Sequence, residues 1–169
     1  MTGGMHSTRR WLPGQDLRAL LLALTALAFA GAATAGSLPE TTLEVGGQTL
    51  TVEIAADQAS QRRGLMYRDH LPADRGMLFV WESSEPRAMW MRNTRIPLDV
   101  AFVDGDGVIT NIETMQPETT RLHHSAAPVR YALEVNAGWF AEHGVEAGDE
   151  IPGVDSAWAE RAGETPGSP

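Results

Sequence analysis

Short apolar runs separated by turn residues are the feature of this sequence that most restricts its fold. The runs are about five to eight residues long and rich in Val, Ile, Leu and Phe, which suits strands and is too short for most helices. Gly46-Gly47 and Asp104-Gly105-Asp106-Gly107 each stand between two such runs, and Gly tolerates the positive φ angles of tight hairpin turns. The pattern therefore predicts β-hairpins over residues 41–54 and 98–115.

Two helices are predicted beside these strands. Asp57 has the side chain of an N-cap for a helix over 58–66, although Gly64 weakens the end of that helix. Asn136 is in position to cap a short second helix over 139–143. Further strands are predicted over 77–81, 87–91, 130–135 and 150–151, and a long loop over 116–128. Together these elements predict an α+β, mainly β fold: a small curved antiparallel sheet or barrel-like domain with one or two short flanking helices.

The N-terminus has the composition of a secretory signal peptide. Three Arg residues precede an apolar run over 19–35, and Ala33-Thr34-Ala35 supplies the small side chains that signal peptidase requires. We expect a periplasmic or extracellular protein with no stable membrane anchor after cleavage. Because the apolar run is at the short limit for a membrane span, an uncleaved anchor is the alternative. The expected organisation is a signal peptide over 1–35, a single globular domain over 36–152 and a flexible tail over 153–169.

The charge and the lack of cysteine restrict the partners and the chemistry. The formal net charge is −9, and all 13 basic residues are Arg. An acidic surface repels phosphate backbones and anionic headgroups, so nucleic acid and membrane surfaces are not expected as partners. The sequence has no Cys, which excludes disulfides, a thiolate nucleophile and a Cys-based metal site. We expect no cofactor.

Methionines in the sequence Met89-Trp90-Met91 raise the question of a metal site. Residues two apart in a strand point to the same face, so Met89 and Met91 are expected to project together. With His123 or His124 their thioethers would suit a cuprous ion. Methionine also fills irregular gaps in apolar cores. We favour core packing over metal binding for these two side chains, and copper handling remains an alternative function.

Two carboxylates within predicted strands are interpreted differently. Glu134 shares a strand face with Arg130 and Ala132, which is typical of an outward polar face. Asp99 shares a face with Ala101 and Val103, so its carboxylate requires hydrogen-bond donors if that face is buried.

Three residues could donate hydrogen bonds to Asp99. Arg63 lies at the end of the first predicted helix, where its planar guanidinium could reach a neighbouring strand. Asn93 and Thr94 lie in the polar loop that precedes Asp99. We expect Arg63, Asn93, Thr94 and Asp99 to converge beside Trp90 at one end of the domain and form a binding rim. The alternative is that the same residues only fix the loop.

Three blocks of sequence follow one another in a recognisable order: RGLMYRDHLPADRGMLFVW, MWMRNTRIPLDVAFVDGDGVI and PVRYALEVNAGWFAEHGVEAGDEI. In this order they resemble the prokaryotic family called domain of unknown function 192, over roughly residues 43–151. The resemblance implies a small, mostly β single domain with a flanking helix, frequently exported, and it implies no particular reaction. Similar sequences carry a Cys pair in the loop 116–128, which this chain lacks, so a thiol-based role for that loop is not expected.

Three classes of function are compatible with the sequence. The first is a binding module for a small polar ligand or a cell-envelope partner, in which Trp90 provides a stacking face and the other four rim residues provide hydrogen bonds. The second is a hydrolase that uses Asp99 and a second carboxylate, which would require two carboxyl groups roughly 5 to 9 Å apart in one cleft. The third is the Met and His copper handling described above. No residue is assigned a catalytic role.

Overall fold

The computed structural model describes residues 1–3 and 37–156. The chain divides into two compact units, Met1–Gly36 and Ser37–Pro169, and the fold described below belongs to the second. Nearly all of the predicted signal peptide and most of the predicted tail lie outside the described residues. Both therefore stay predictions.

Strands dominate the domain. In chain order its elements are β1 (Glu40–Val45), β2 (Gln48–Ala55), α1 (Gln58–Arg63), β3 (Arg75–Glu85), β4 (Ala88–Met89), β5 (Leu98–Val103), β6 (Ile109–Met115), β7 (His123–His124), β8 (Val129–Asn136) and α2 (Trp139–Glu142). Six of the strands form one sheet in the order β1-β2-β3-β8-β5-β6, and β4 and β7 form a separate pair. This arrangement confirms the mainly β, α+β class with two short helices.

The sheet differs from the expected one in two respects. It is open, with β1 and β6 at its edges, and β2 pairs with β3 in parallel, whereas antiparallel pairing was predicted. The cause is the segment between them: the chain leaves β2, passes through α1 and returns to start β3 in the same direction, as in a βαβ unit.

Near the N-terminal hairpin the predicted turn and helix cap are confirmed, and the predicted helix end is wrong. Gly46 and Gly47 have φ angles of 57° and 73° and join β1 to β2. The Asp57 carboxylate accepts hydrogen bonds from two backbone amides of the first turn of α1, at 2.8 and 3.0 Å. The helix ends at Arg63 and not at residue 66, because Gly64 takes up a φ of 48° that an L-residue in a helix does not adopt.

The C-terminal predictions are less accurate. Gly138, and not Asn136, is the N-cap residue of α2, and the Asn136 side chain instead donates to the carbonyl of Leu71 at 3.0 Å. The last predicted strand is reduced to an isolated bridge between Glu150 and Val108. Val154, within the predicted tail, is buried against the core.

Apolar side chains cover both faces of the sheet. The face that contacts Trp139 and Phe140 of α2 is called the α2 face here. The opposite face contacts Leu65 and Leu71 from the connection that follows α1, as well as Met91, and is called the α1 face. Strand β5 is consequently buried at every position, as expected for a strand that is covered on both sides.

Candidate functional site

A cleft of about 220 Å³ opens on the α1 face. Its walls come from α1 and the residues just after it, from β3 and β8, and from the segment 88–94. Phe79, Met89 and Trp90 form apolar parts of the lining, and Arg63, Thr94 and Glu134 form polar parts. Pockets for drug-sized ligands have volumes of about 300–1,000 Å³, so this cleft suits a smaller molecule.

Glu134 lies at the base of the cleft. In β8 it pairs with Met77 of β3 and Val100 of β5, so it points to the α1 face from the middle of the sheet. Its exposed fraction is 3%, and its carboxyl group makes no hydrogen bond within the described part of the chain. Burial raises the pKa of Glu134 to about 8, because the charged form is poorly solvated there. At neutral pH the group is therefore mainly an uncharged acid.

The expectation that Glu134 lies on an outward polar face is wrong. β8 is a central strand and both faces of the sheet are covered, so no outward face exists at this position. The sequence contains a signal for this arrangement, because Ala132, Leu133 and Val135 make the strand apolar on both faces. A single acid within such a run indicates a buried carboxyl group.

Thr94 is the second buried polar residue of the cleft. It is 4% exposed, and its hydroxyl makes no hydrogen bond with any described residue. Its backbone is held on both sides, since its amide donates to Met91 at 3.0 Å and its carbonyl accepts from Glu118 at 2.9 Å. Thr94 and Glu134 therefore present to the same cleft two polar side chains that have no hydrogen-bond partner in the described part of the chain.

Arginine and tryptophan side chains lie around the mouth of the cleft. Arg62 and Arg63, in the last turn of α1, are exposed and line the cleft. Trp90 is 42% exposed, and the guanidinium of Arg92 lies 5.6 Å from the centre of its ring. The mouth thus combines an aromatic surface with positive charge.

Asn93 holds the segment 88–94 in place and does not line the cleft. Its φ of 58° lies in the left-handed region, which Asn adopts more readily than most residues. Its carbonyl accepts from the Tyr67 amide at 2.8 Å, and its side-chain amide donates to the Tyr67 hydroxyl at 3.0 Å. These bonds tie the segment to the connection after α1.

Asp99 is not part of this cleft. It alternates along β5 with Val100, which faces the α1 side, and it pairs with Val135 of the α2 face. Its two carboxylate oxygens accept from the Thr114 hydroxyl and from the Gly138 amide, each at 2.8 Å. The predicted convergence of five residues is therefore wrong for Asp99, which instead connects β6 to the start of α2.

The placement of Asp99 excludes Glu134 as the second carboxylate of the predicted hydrolase, and a hydrolase that uses Asp99 with another carboxylate stays a prediction. Asp99 and Glu134 project from opposite faces of the sheet, so they cannot act on one bond. Of the predicted rim residues, Arg63, Trp90 and Thr94 line one cleft and Asn93 supports it.

The Met and His residues of the copper alternative are only partly brought together. Met89 pairs with His123 across β4 and β7, whereas Met91 is fully buried in the core of the α1 face. His123 is itself buried, with its Nδ1 atom 3.4 Å from a carboxylate oxygen of Glu113. Within residues 1–3 and 37–156 there is no cluster of three His, Asp or Glu side chains that could hold a metal ion. Core packing is confirmed for Met91, while Met89 is half-buried in the cleft wall.

These features define a small α+β domain with an open mixed sheet and a cleft that ends at a buried acid. The chain belongs to the DUF192 family, described as "Uncharacterized ACR", whose model matches residues 41–153. Neither of the two helices in the described residues has the length and hydropathy required to cross a membrane.

Two solved structures are similar to this chain. One is a "putative transcription regulator" from Sinorhizobium meliloti 1021, with 40% sequence identity and a TM-score of 0.64, and the match covers 69% of this chain and 95% of that chain. The other is a protein of unknown function from Novosphingobium aromaticivorans DSM 12444, with 31% identity, a TM-score of 0.64 and coverage of 72% and 89%. Among curated proteins no relative matches the chain.

Proposed function

We propose that this domain is a binding module for a small polar ligand, which is taken up in the cleft above Glu134. The observation that carries the proposal is the pair of buried polar groups, Glu134 and Thr94, that have no partner among the described residues. Both side chains line the cleft and are reached from it. A ligand with hydrogen-bonding groups at matching positions can satisfy both of them in place of solvent.

Binding is favoured over catalysis because the cleft has one carboxyl group among its described lining residues. Glu113 is on the same face, but it lies on the far side of Val100 from Glu134, a separation of roughly 10 Å for two strand spacings. It also contacts His123. Hydrolysis of a glycosidic bond by paired carboxylates requires both groups to flank one bond.

The name of the Sinorhizobium relative does not lead us to propose DNA binding. The net charge of −9 would oppose contact with a phosphate backbone. We propose that the domain acts in the periplasm or outside the cell, which is supported by the signal peptide predicted over 1–35. N-terminal sequencing of exported protein should give a mature chain that begins near Gly36, and an intact Met1 in the cytosol would contradict this location.

The binding function can be tested with a variant that fills the cleft. Ala88 is exposed and lines the cleft, so Ala88→Trp should block it without disturbing the core. Ala141→Trp, at an exposed position on α2, is the matched control on the other face. A fragment library screened by ligand-observed NMR, together with mass spectrometry of co-purifying small molecules, should find ligands for the parent and for Ala141→Trp. Those ligands should be lost in Ala88→Trp. Ligands that bind all three proteins equally, or none at all, would refute the proposal.

A further inference from the structure

The charge around the cleft is opposite in sign to that of the whole chain. The chain carries a net charge of −9, yet the charged side chains at the cleft mouth are Arg62 and Arg63. Neither forms an ion pair with a carboxylate in the described residues. Four other arginines in the described residues form ion pairs with carboxylates, namely Arg68 with Glu53, Arg75 with Glu40, Arg87 with Glu85 and Arg95 with Asp69.

The base of the cleft does not offset this positive charge. Glu134 is the acid that lines the cleft, and burial keeps its carboxyl group mainly uncharged at neutral pH, since its pKa is raised to about 8. The phenyl ring of Phe79 lines the wall of the cleft, and the indole ring of Trp90 lines it near the mouth. The cleft is therefore uncharged and polar at one end, apolar along its walls and positive at the other end.

We infer that the ligand of this cleft is a small organic acid, with a hydroxyl or carbonyl group that reaches Glu134 and Thr94 and a carboxylate at the mouth, where Arg62 and Arg63 line the cleft. The inference rests on the proposed function and specifies the class of ligand. Guanidinium groups bind carboxylates with directed, charge-assisted hydrogen bonds. The flat face of Trp90 suits a ring or another apolar body between the two ends.

The orientation of the ligand in the cleft follows from the cost of burying its charged carboxylate. No described cationic side chain lies at the base beside Glu134 and Thr94, since the lining arginines belong to the exposed end of α1. A carboxylate placed there would lose its hydration without gaining a counter-ion. At the mouth the same group keeps part of its hydration and gains two guanidinium groups. An ammonium ligand, by contrast, would have to pass two arginines that repel it.

The inference can be tested with three compounds that have one shape and different charges. The probe is 4-hydroxybenzoate, with 4-hydroxybenzamide as the uncharged analogue and 4-hydroxybenzylamine as the cationic one. Amide chemical shifts of the labelled protein give each dissociation constant at pH 7 and low salt. We expect the acid to bind at least about tenfold more tightly than either analogue.

Variants locate the source of this preference. The double variant Arg62→Gln and Arg63→Gln should weaken binding of the acid about tenfold and leave the amide unchanged. Arg75→Gln, which removes one positive charge away from the cleft, should have no such effect. Glu134→Gln, which keeps the base uncharged, should retain the preference for the acid.

Two results would overturn the inference. One is an amide or amine that binds as tightly as the acid, and the other is no detectable binding of 4-hydroxybenzoate at about 10 mM, near the weakest affinity expected of so small a ligand. If the fragment screen nevertheless finds uncharged or cationic ligands that Ala88→Trp excludes, the inference fails and the binding function stands. If the screen finds no cleft ligand, both fail.

Discussion

Replacing Glu134 by Gln should change how the stability of the domain depends on pH. A Glu in the unfolded chain has a pKa near 4.5, whereas in the folded domain burial raises the pKa of Glu134 to about 8. Between these values the unfolded chain releases a proton that the folded domain retains. The free energy of unfolding therefore falls as the pH rises through this window, by at most about 1.4 kcal/mol per pH unit. The contribution of Glu134 to the free energy of unfolding is fully present below about pH 4.5 and is fully lost above about pH 8.

The size of the effect can be worked out for two accessible pH values. Between pH 5.5 and pH 7.5 the two pKa values give a loss of about 2–3 kcal/mol from this one group. Gln has nearly the same shape and does not titrate, so Glu134→Gln abolishes the loss. The difference in unfolding free energy between parent and variant should therefore move by about 2–3 kcal/mol in favour of the variant over this range.

Urea denaturation followed by circular dichroism at the two pH values provides the measurement. The absolute cost of the substitution cancels, because only the change with pH is compared. Glu142→Gln, at an exposed position on α2, is the control for the loss of an ordinary carboxylate. If parent and Glu134→Gln differ by the same amount at both pH values, Glu134 ionises normally in the folded domain, and the description of the cleft base as an uncharged acid is wrong.

Further predictions concern the other face and the backbone. Asp99→Asn should lower the free energy of unfolding by about 1–3 kcal/mol, because the Gly138 amide and the Thr114 hydroxyl lose a charged acceptor. It should leave ligand binding in the cleft unchanged, and a loss of binding at unchanged stability would contradict this. Gly64→Ala should destabilise the domain by more than about 1 kcal/mol, as measured by urea denaturation, because its φ is 48° and an added Cβ would lie 3.2 Å from Phe79. Gly47→Ala should cost less, since φ is also positive there but no atom lies within 4 Å, and equal costs would show that the contact with Phe79 has no effect.

Local features of the fold could be predicted from the sequence because short-range chemistry determines them. The turn at Gly46-Gly47 requires positive φ angles, and the cap at Asp57 requires an acceptor next to free amides. Both requirements are met by residues adjacent in sequence, so their outcome does not depend on the rest of the chain.

Strand pairing could not be predicted in the same way. The sequence pattern of a strand does not indicate which other strand it pairs with. The parallel β2–β3 pair and the central position of β8 in the sheet could therefore not be predicted. The same limit affected the site. The prediction that Asp99 shares a strand face with Ala101 and Val103 was correct. Which face of the sheet carries the cleft, however, depends on where the chain packs after α1. For this reason Asp99 was placed in the site and Glu134 was left out of it.

The order of strands in the sheet also determines when the domain can fold. β8 is sixth among the strands of the sheet along the chain, yet it lies between β3 and β5, which do not pair with each other. Until Val129–Asn136 is available, β1-β2-β3 and β5-β6 are two separate fragments. The edge strands β3 and β5 then lack the partner that β8 later provides. Such distant pairings form slowly. A chain that is still being synthesised therefore holds two separate groups of strands, and the arrival of its last long strand joins them into one domain.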